Sequence, residues 1–223
     1  MASDTTLSED APAATAEAPA GVDAASSGDR WWRWAAIVSV VLTFATYVAV
    51  AAFTATAPRT PWDEIGVLQM ARLISGDGNV TPMAGSGYYP GWSFAMAPLW
   101  WITHNPVTLY HLAIGEVILF AMLTLWPLTL IGRHLGLGRY QAVVVASIVS
   151  ILPARSVHAD YVLSETFLMF WIAWVVVAVF AYSKRPTVLG AVLVAAASSA
   201  AYLTHTRALA VMATAAIWFV LLG

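Results

Sequence analysis

Long apolar runs separated by short polar intervals dominate the chain beyond residue 30. A helix needs about 20 mainly apolar residues to cross the hydrocarbon core of a bilayer, and the longer runs reach or approach that length. The six runs cover residues 35–57, 107–131, 140–152, 166–182, 188–203 and 208 to the end of the chain. This pattern predicts an all-α polytopic membrane protein with about six transmembrane helices.

The polar interval after the first run, residues 58–106, is too long to be a simple turn. Within it, residues 64–75 place Ile65, Leu68 and Ala71 on one side of a helix that we expect to lie along the membrane surface. Residues 92–102 are apolar and rich in tryptophan but too short to span, which favours a re-entrant or interfacial segment. We therefore predict a long first extracytoplasmic loop carrying juxtamembrane helices.

Composition supports the membrane interpretation and divides the chain in two. Of the 223 residues, 60% are hydrophobic and 10% are charged, whereas soluble domains are about 25% charged. Residues 1–30 lack apolar periodicity and are predicted to form a disordered cytoplasmic tail before a transmembrane domain at 31–223. The chain has no cysteine, which excludes disulfides and thiolate metal sites. It has no basic cluster that would indicate nucleic-acid binding.

The basic residues set the predicted orientation. Six of them lie in short flanks on the side of the N-terminus and four on the other side, so the positive-inside rule predicts a cytoplasmic N-terminus. The six are Arg30, Arg33, Arg133, Arg139, Lys184 and Arg185, and the four are Arg59, Arg72, Arg155 and Arg207. This topology places every acid after the tail in the extracytoplasmic half: Asp63, Glu64, Asp77, Glu116, Asp160 and Glu165. The candidate chemistry therefore lies on the extracytoplasmic face.

Asp63 and Glu64 form the leading candidate for a catalytic pair. A positioned carboxylate can take the proton from a sugar hydroxyl as it attacks, and carboxylates can also hold a divalent cation. The structural alternative is that Asp63 caps the surface helix while Glu64 interacts with its dipole.

Asp160 and Glu165, five residues apart in the second extracytoplasmic interval, are further candidates. They could bind a metal ion, orient an acceptor or steer the base, although Asp160 or Ser164 could instead cap the following helix. Glu116 lies within the second run, where a charge costs at least about 2.5 kcal/mol, so we interpret it as functional unless a neighbouring helix supplies a partner.

Arg207 with His205 begins the last apolar run and could hold the phosphate of a lipid-linked substrate. A snorkelling interfacial arginine is the alternative. Tyr89 and its aromatic neighbours could stack on a sugar or a prenyl chain, or belong to an interfacial aromatic belt. The histidines at 104, 111 and 158 have no metal-ligand spacing.

Several short motifs occur in an order that resembles the GT-C glycosyltransferases, in the branch of the dolichyl- and polyprenyl-phosphate-dependent mannosyl- and arabinosyltransferases. They span roughly residues 31–223. They are Trp62-Asp63-Glu64, Tyr88-Tyr89-Pro90-Gly91 leading to Ala97-Pro98-Leu99, the segment from Asp160 to Glu165, and Leu203-Thr204-His205-Thr206-Arg207.

The resemblance implies an inverting transferase that moves a sugar from a polyprenyl-phosphate donor to a glycan, lipid or protein acceptor of the cell envelope. Asp63 matches the catalytic acid of the first loop and Arg207 the basic residue near the donor phosphate. Glu64, Asp160 and Glu165 are then secondary acids for the acceptor or a metal ion; a divalent ion on Asp63, Glu64 or Asp160 stays open. Because members of this superfamily usually have more spans, we expect the chain to be an N-terminal portion.

Two other classes of function are compatible with the sequence. One is a transporter or flippase fragment for a lipid-linked substrate, with Glu116 as an intramembrane ion or proton site. The other is a non-catalytic membrane partner of an envelope assembly complex.

Overall fold

The computed structural model describes residues 22–54, 57–77 and 89–222, and every regular element within these ranges is helical. The helices are α1 (Val22–Thr54), α2 (Pro61–Ile74), α3 (Gly91–Met96), α4 (Leu99–Ile102), α5 (Pro106–Leu123), α6 (Leu125–His134), α7 (Arg139–Ile151), α8 (Pro153–Ser156), the 3-10 helix η1 (Val157–Asp160), α9 (Glu165–Lys184), α10 (Val188–Thr204) and α11 (Ala208–Leu222). The predicted all-α class is confirmed. Most of the predicted tail, together with Tyr88, lies outside the described residues; Val22–Arg30 of that tail belong to α1.

Helix α2 begins three residues earlier than predicted, because Pro61 is pre-set for the first turn of a helix. Its buried face also differs from the predicted one. Glu64, Val67 and Ala71 are fully buried, whereas Ile65 is 37% exposed. The hydrophobic pattern of the sequence could not indicate that Glu64 lies on the buried face of α2, since it assigns a carboxylate to the polar side.

The predicted second helix, residues 107–131, is divided at Thr124 into α5 and α6. Pro127 has no N–H to donate to the carbonyl of Leu123, which removes one hydrogen bond of the helix at this point. The Thr124 hydroxyl donates to the Phe120 carbonyl at 2.6 Å across the break. The chain still continues in the same direction through both helices, from Pro106 to His134.

Helices α1 and α7 run parallel to each other. Arg33 in the first half of α1 and Arg139 at the start of α7 line one cavity. Near the other ends of the same helices, the Tyr47 hydroxyl donates to the Ser150 carbonyl at 2.8 Å. Both helices therefore lead toward the same end of the bundle.

Helix α9 runs in the same direction as α5 and α6, since aromatic pairs join them along their length. The rings of Phe120 and Phe167 are 4.7 Å apart, and those of His134 and Phe180 are 5.6 Å apart. Helix α11 also runs in the same direction as α9. Leu168, Ala201 and Ala208 share one buried cluster, and Trp218 donates to the Ser183 hydroxyl at 2.8 Å.

These directions define two ends of the bundle. The acidic end contains α2, α3, α4, η1, the beginnings of α5 and α9, and the connection between α10 and α11. The opposite end contains the beginning of α1 and the connections after α6 and α9. Of the described acids after residue 30, all lie at the acidic end except Glu116, which is within α5.

Three helical segments are long and apolar enough to cross a membrane. They are Gly28–Phe53, Pro106–His134 and Glu165–Lys184, with mean hydropathies of 2.2, 2.0 and 2.0. Helices α7, α10 and α11 are apolar but shorter. Three candidate spans are thus present within the described ranges, while the predicted total of six stays a prediction.

Candidate functional site

Glu64 is completely buried at the start of α2, where its carboxylate closes the turn before the helix. Its Oε1 accepts hydrogen bonds from the backbone N–H groups of Arg59 and Thr60, at 2.8 and 3.0 Å, and from the Thr60 hydroxyl at 3.3 Å. A carboxylate buried in this way needs such donors, because an unpaired charge would be costly to remove from water.

The second oxygen of Glu64 joins two distant parts of the chain. Its Oε2 accepts from the Tyr110 hydroxyl on α5 at 2.9 Å and from the backbone N–H of Val162 at 3.0 Å. The first loop (residues 57–105) is thereby attached to the second loop (residues 152–164). With both oxygens engaged, Glu64 has the surroundings of a positioning residue.

Asp63, the neighbouring carboxylate, has different surroundings. It is partly exposed, and its side chain has no hydrogen-bond or ion-pair partner among the described residues. It does not cap α2, since Thr60 occupies the N-cap position and makes no side-chain cap hydrogen bond. Asp63 is therefore a carboxylate within the first turn of α2 that has no partner in the described part of the chain.

Asp160 supplies a second connection between the two loops. Its Oδ2 lies 3.2 Å from a guanidinium nitrogen of Arg59, and its side chain is only 3% exposed. The guanidinium carbon of Arg59 also lies 5.9 Å from the ring centroid of Tyr161. The other oxygen of Asp160, Oδ1, is buried and has no hydrogen-bond partner within the described part of the chain. Asp160 thus combines a structural ion pair with one unused acceptor.

A cavity of about 410 Å³ opens at the acidic end, and we call it the Arg155 cavity. Its charged lining residues are Arg155, Glu165 and Arg207, and Arg207 lies 3.6 Å from the Glu165 carboxylate. The other polar lining residues are Tyr47, His158 and Thr166. The apolar part of its lining includes Ala121, Leu168, Met169 and Ile172. The cavity therefore combines two guanidinium groups with a wall suited to a hydrocarbon chain.

Arg155 is the least expected residue of this cavity. It lines the cavity together with Tyr47, and no carboxylate pairs with it among the described residues. Burial lowers the pKa of Arg155, which reflects the cost of holding a cation away from water. Nδ1 of His158 is also buried without a hydrogen-bond partner in the described ranges. Both groups are available to an anion.

His205 and Tyr89 make contacts that stabilise the backbone at the acidic end. The Nδ1 atom of His205 accepts from the backbone N–H of Arg207 at 3.1 Å, which fixes the turn between α10 and α11. The hydroxyls of Tyr89 and Tyr202 are 3.3 Å apart, and their rings pack at 5.0 Å. The first loop is thus attached at Tyr89 to the end of α10.

Glu116 does not join this group. It lies about 9 Å further along α5 than Tyr110, and its Oε2 is buried without a hydrogen-bond partner in the described residues. The predicted metal site has no cluster to support it: within the described ranges, no three His, Asp or Glu side chains come together in a way that could hold a metal ion. Asp63, Glu64 and Asp160 do not form such a group.

Comparison with known proteins gives no match. No family model, no curated protein and no solved structure matches the chain.

Sequence reasoning missed three of these residues: Arg59, Tyr110 and Arg155. The two arginines were counted only for orientation, and Tyr110 is one of many aromatic residues in an apolar run. A signal for Arg155 was present, since it follows Pro153 directly after an apolar helix and has no acid within four residues.

Proposed function

We propose that the chain is a membrane glycosyltransferase, or the portion of one that carries the donor site, and that it uses a polyprenyl-phosphate sugar. The main observation in support of this proposal is the Arg155 cavity, in which two guanidinium groups adjoin an apolar wall. A polyprenyl-phosphate sugar has the same two parts side by side, a hydrocarbon chain and an anionic phosphate. The order of motifs that resembles the GT-C glycosyltransferases supports the same class of substrate.

In this proposal, Arg155 and Arg207 hold the donor phosphate. Guanidinium groups bind phosphate through paired charge-assisted hydrogen bonds, and they stabilise the negative charge that the phosphate gains when it leaves the sugar. Arg207 is 70% exposed and its pairing with Glu165 is loose at 3.6 Å, so exchange of Glu165 for a phosphate costs little. His158 adds a donor from Nδ1.

Asp63 acts as the catalytic base. Its carboxylate takes the proton of the acceptor hydroxyl while that oxygen attacks the anomeric carbon, and the bond from this carbon to the phosphate oxygen breaks with its electron pair on the phosphate. Attack opposite the leaving group inverts the anomeric configuration. Glu64 serves as a positioning residue, since it ties the loop carrying Asp63 to the loop carrying Asp160.

The test of the base is Asp63→Asn, with Asp29→Asn at the opposite end as the matched control. Membranes containing each variant are incubated with a panel of polyprenyl-phosphate sugars labelled in the sugar. We expect Asp63→Asn to reduce transfer at least about 100-fold, as removal of a general base does, while Asp29→Asn retains it. Retained transfer by Asp63→Asn would remove Asp63 from the mechanism.

The test of the phosphate site is Arg155→Gln, measured as binding of radiolabelled polyprenyl phosphate to the purified protein. Loss of one charge-assisted contact predicts binding about 10-fold weaker. Asp63→Asn should bind the same probe normally, because the base does not contact the phosphate. Equal binding by Arg155→Gln and wild type would contradict the assignment of the cavity.

A second candidate function is transport of a lipid-linked substrate. It is favoured by Glu116, whose buried Oε2 has no hydrogen-bond partner in the described residues and which lies within a candidate span. An ionisable side chain in such a position is a functional candidate by default. Lipid transport that is lost in Glu116→Gln but retained in Asp63→Asn would favour transport over sugar transfer.

A further inference from the structure

A large cavity lies between α1 and α7 at the opposite end of the bundle, far from the residues of the acidic end. Its volume is about 670 Å³. Its polar lining consists of Arg33, Arg139 and Tyr140, and its remaining lining residues are Ala36, Ile37, Val40, Val41 and Val143. Arg139 is the first residue of α7 and Arg33 lies near the start of the candidate span Gly28–Phe53 within α1, and the apolar residues follow them along both helices.

The two arginines of this cavity form no ion pair with any described residue. Asp29, one turn before Arg33, does not pair with it either. Two guanidinium groups beside one cavity repel each other, and a shared anion relieves that repulsion. The guanidinium carbon of Arg139 also lies 5.7 Å from the ring centroid of Tyr140, which restrains its position.

The surroundings of the cavity indicate the kind of anion. Arg33 is flanked by Trp31 and Trp34, which are 67% and 60% exposed, and tryptophan is enriched at the level of lipid headgroups. Ile37 and Val41, one and two turns further along α1, are 45% and 59% exposed. A ligand that places a phosphate at Arg33 can therefore lay a hydrocarbon chain along α1.

We propose that this cavity binds one anionic phospholipid, with its phosphate between Arg33 and Arg139 and one acyl chain along Ile37, Val40 and Val143. Basic pockets between transmembrane helices are suited to anionic headgroups. The proposal does not depend on the proposed sugar transfer, because it uses none of the residues at the acidic end. Such a lipid would join the first half of α1 to the beginning of α7 and stabilise the packing between them.

The experiment is native mass spectrometry of the full chain in neutral detergent, titrated with phosphatidylglycerol or phosphatidylcholine at physiological salt. Wild type should bind one phosphatidylglycerol in preference to phosphatidylcholine. The double variant R33Q/R139Q should bind phosphatidylglycerol about 30-fold more weakly, from the loss of two basic contacts. The matched double variant R133Q/R185Q removes the same charge from exposed positions at the same end of the bundle and should change the affinity less than about threefold.

Ile37→Trp provides a variant without a change of charge. It fills the apolar part of the cavity and should weaken phosphatidylglycerol binding while circular dichroism stays that of wild type. Equal weakening by the two double variants would overturn the proposal in favour of diffuse electrostatic attraction. Displacement of the lipid by inorganic phosphate at the same concentration would also overturn it, since the site would then recognise free phosphate instead of a lipid.

Discussion

Asp63 and Glu64 show how far two adjacent carboxylates can differ. Neighbouring residues of a helix point about 100° apart, so one of the pair enters the bundle and the other does not. Glu64 is fully buried and both of its oxygens accept hydrogen bonds, while Asp63 is partly exposed and has no partner among the described residues. The proposal of Glu64 as a positioning residue and of Asp63 as the base rests on this difference.

Substitutions of Glu64 and Asp63 should differ in their effect on stability. Glu64→Gln replaces one accepting oxygen with an NH₂ group that meets N–H or O–H donors, so we expect the free energy of unfolding to fall by about 3 kcal/mol. Asp63→Asn loses no contact with the described residues and should change it by less than about 0.5 kcal/mol. Denaturant titration of both variants in the same detergent measures the difference. Equal stability of the two variants would contradict the structural role of Glu64.

At this scale the sequence identified the acids but not their partners. The donors to Oε2 of Glu64 lie 46 and 98 residues away, at Tyr110 and Val162. Apolar periodicity describes neighbours within one helix and contains no information on such distances. The ion pair of Arg59 with Asp160 was missed for the same reason, and Arg155 was not singled out because it looks like an ordinary flanking arginine.

At the scale of elements, the sequence predicted most of the helices well. The predicted runs 166–182 and 188–203 correspond to α9 (Glu165–Lys184) and α10 (Val188–Thr204), because an apolar run between charged or proline-containing flanks has few alternatives. The small helices α8 and η1 were not predicted, since four residues are too few for any periodicity to be seen. Helices α2, α3 and α4 lie between the first and second predicted spans, while an extracytoplasmic loop with juxtamembrane helices stays a prediction.

Gly91 provides a test of how the first loop attaches to α10. A Cβ atom at this position would lie 2.7 Å from the carbonyl oxygen of Leu203, so Gly91→Ala must move α3 away from the end of α10. We expect a loss of about 2 kcal/mol in the free energy of unfolding. The movement would also disturb the contact of Tyr89 with Tyr202.

The matched control for this substitution is Gly115→Ala on α5. No heavy atom lies within 4 Å of a Cβ built there, and alanine is the better helix former by up to about 1 kcal/mol. Gly115→Ala should therefore be neutral or slightly stabilising in the same denaturant titration. If both glycine variants were equally stable, the close approach of α3 to α10 would be wrong.

At the scale of the whole molecule, the helix directions gather residues that are far apart in sequence. The contacts along α1, α7, α9 and α11 bring the two loops and the turn before α11 to one end. The predicted alternation of spans gives the same grouping, because alternating spans place every second connection on the same side; the count of basic residues set only the predicted orientation. The structure adds the contacts of that end, above all the attachment of the second loop to Glu64 and Arg59.

The prediction that six helices cross the membrane in alternating directions can be tested by cysteine labelling, because the chain has no cysteine of its own. Val157→Cys and Thr206→Cys introduce thiols at exposed positions of the acidic end, and Leu135→Cys and Arg185→Cys introduce them at exposed positions of the opposite end. A membrane-impermeant maleimide added to intact cells should label the first pair. It should label the second pair only after the membrane is permeabilised, since a cytoplasmic N-terminus places that end inside.

Labelling of both pairs in intact cells would contradict six helices that cross the membrane in alternating directions. Labelling of the second pair alone would place the Arg155 cavity on the cytoplasmic side, where the proposed extracytoplasmic transfer cannot occur.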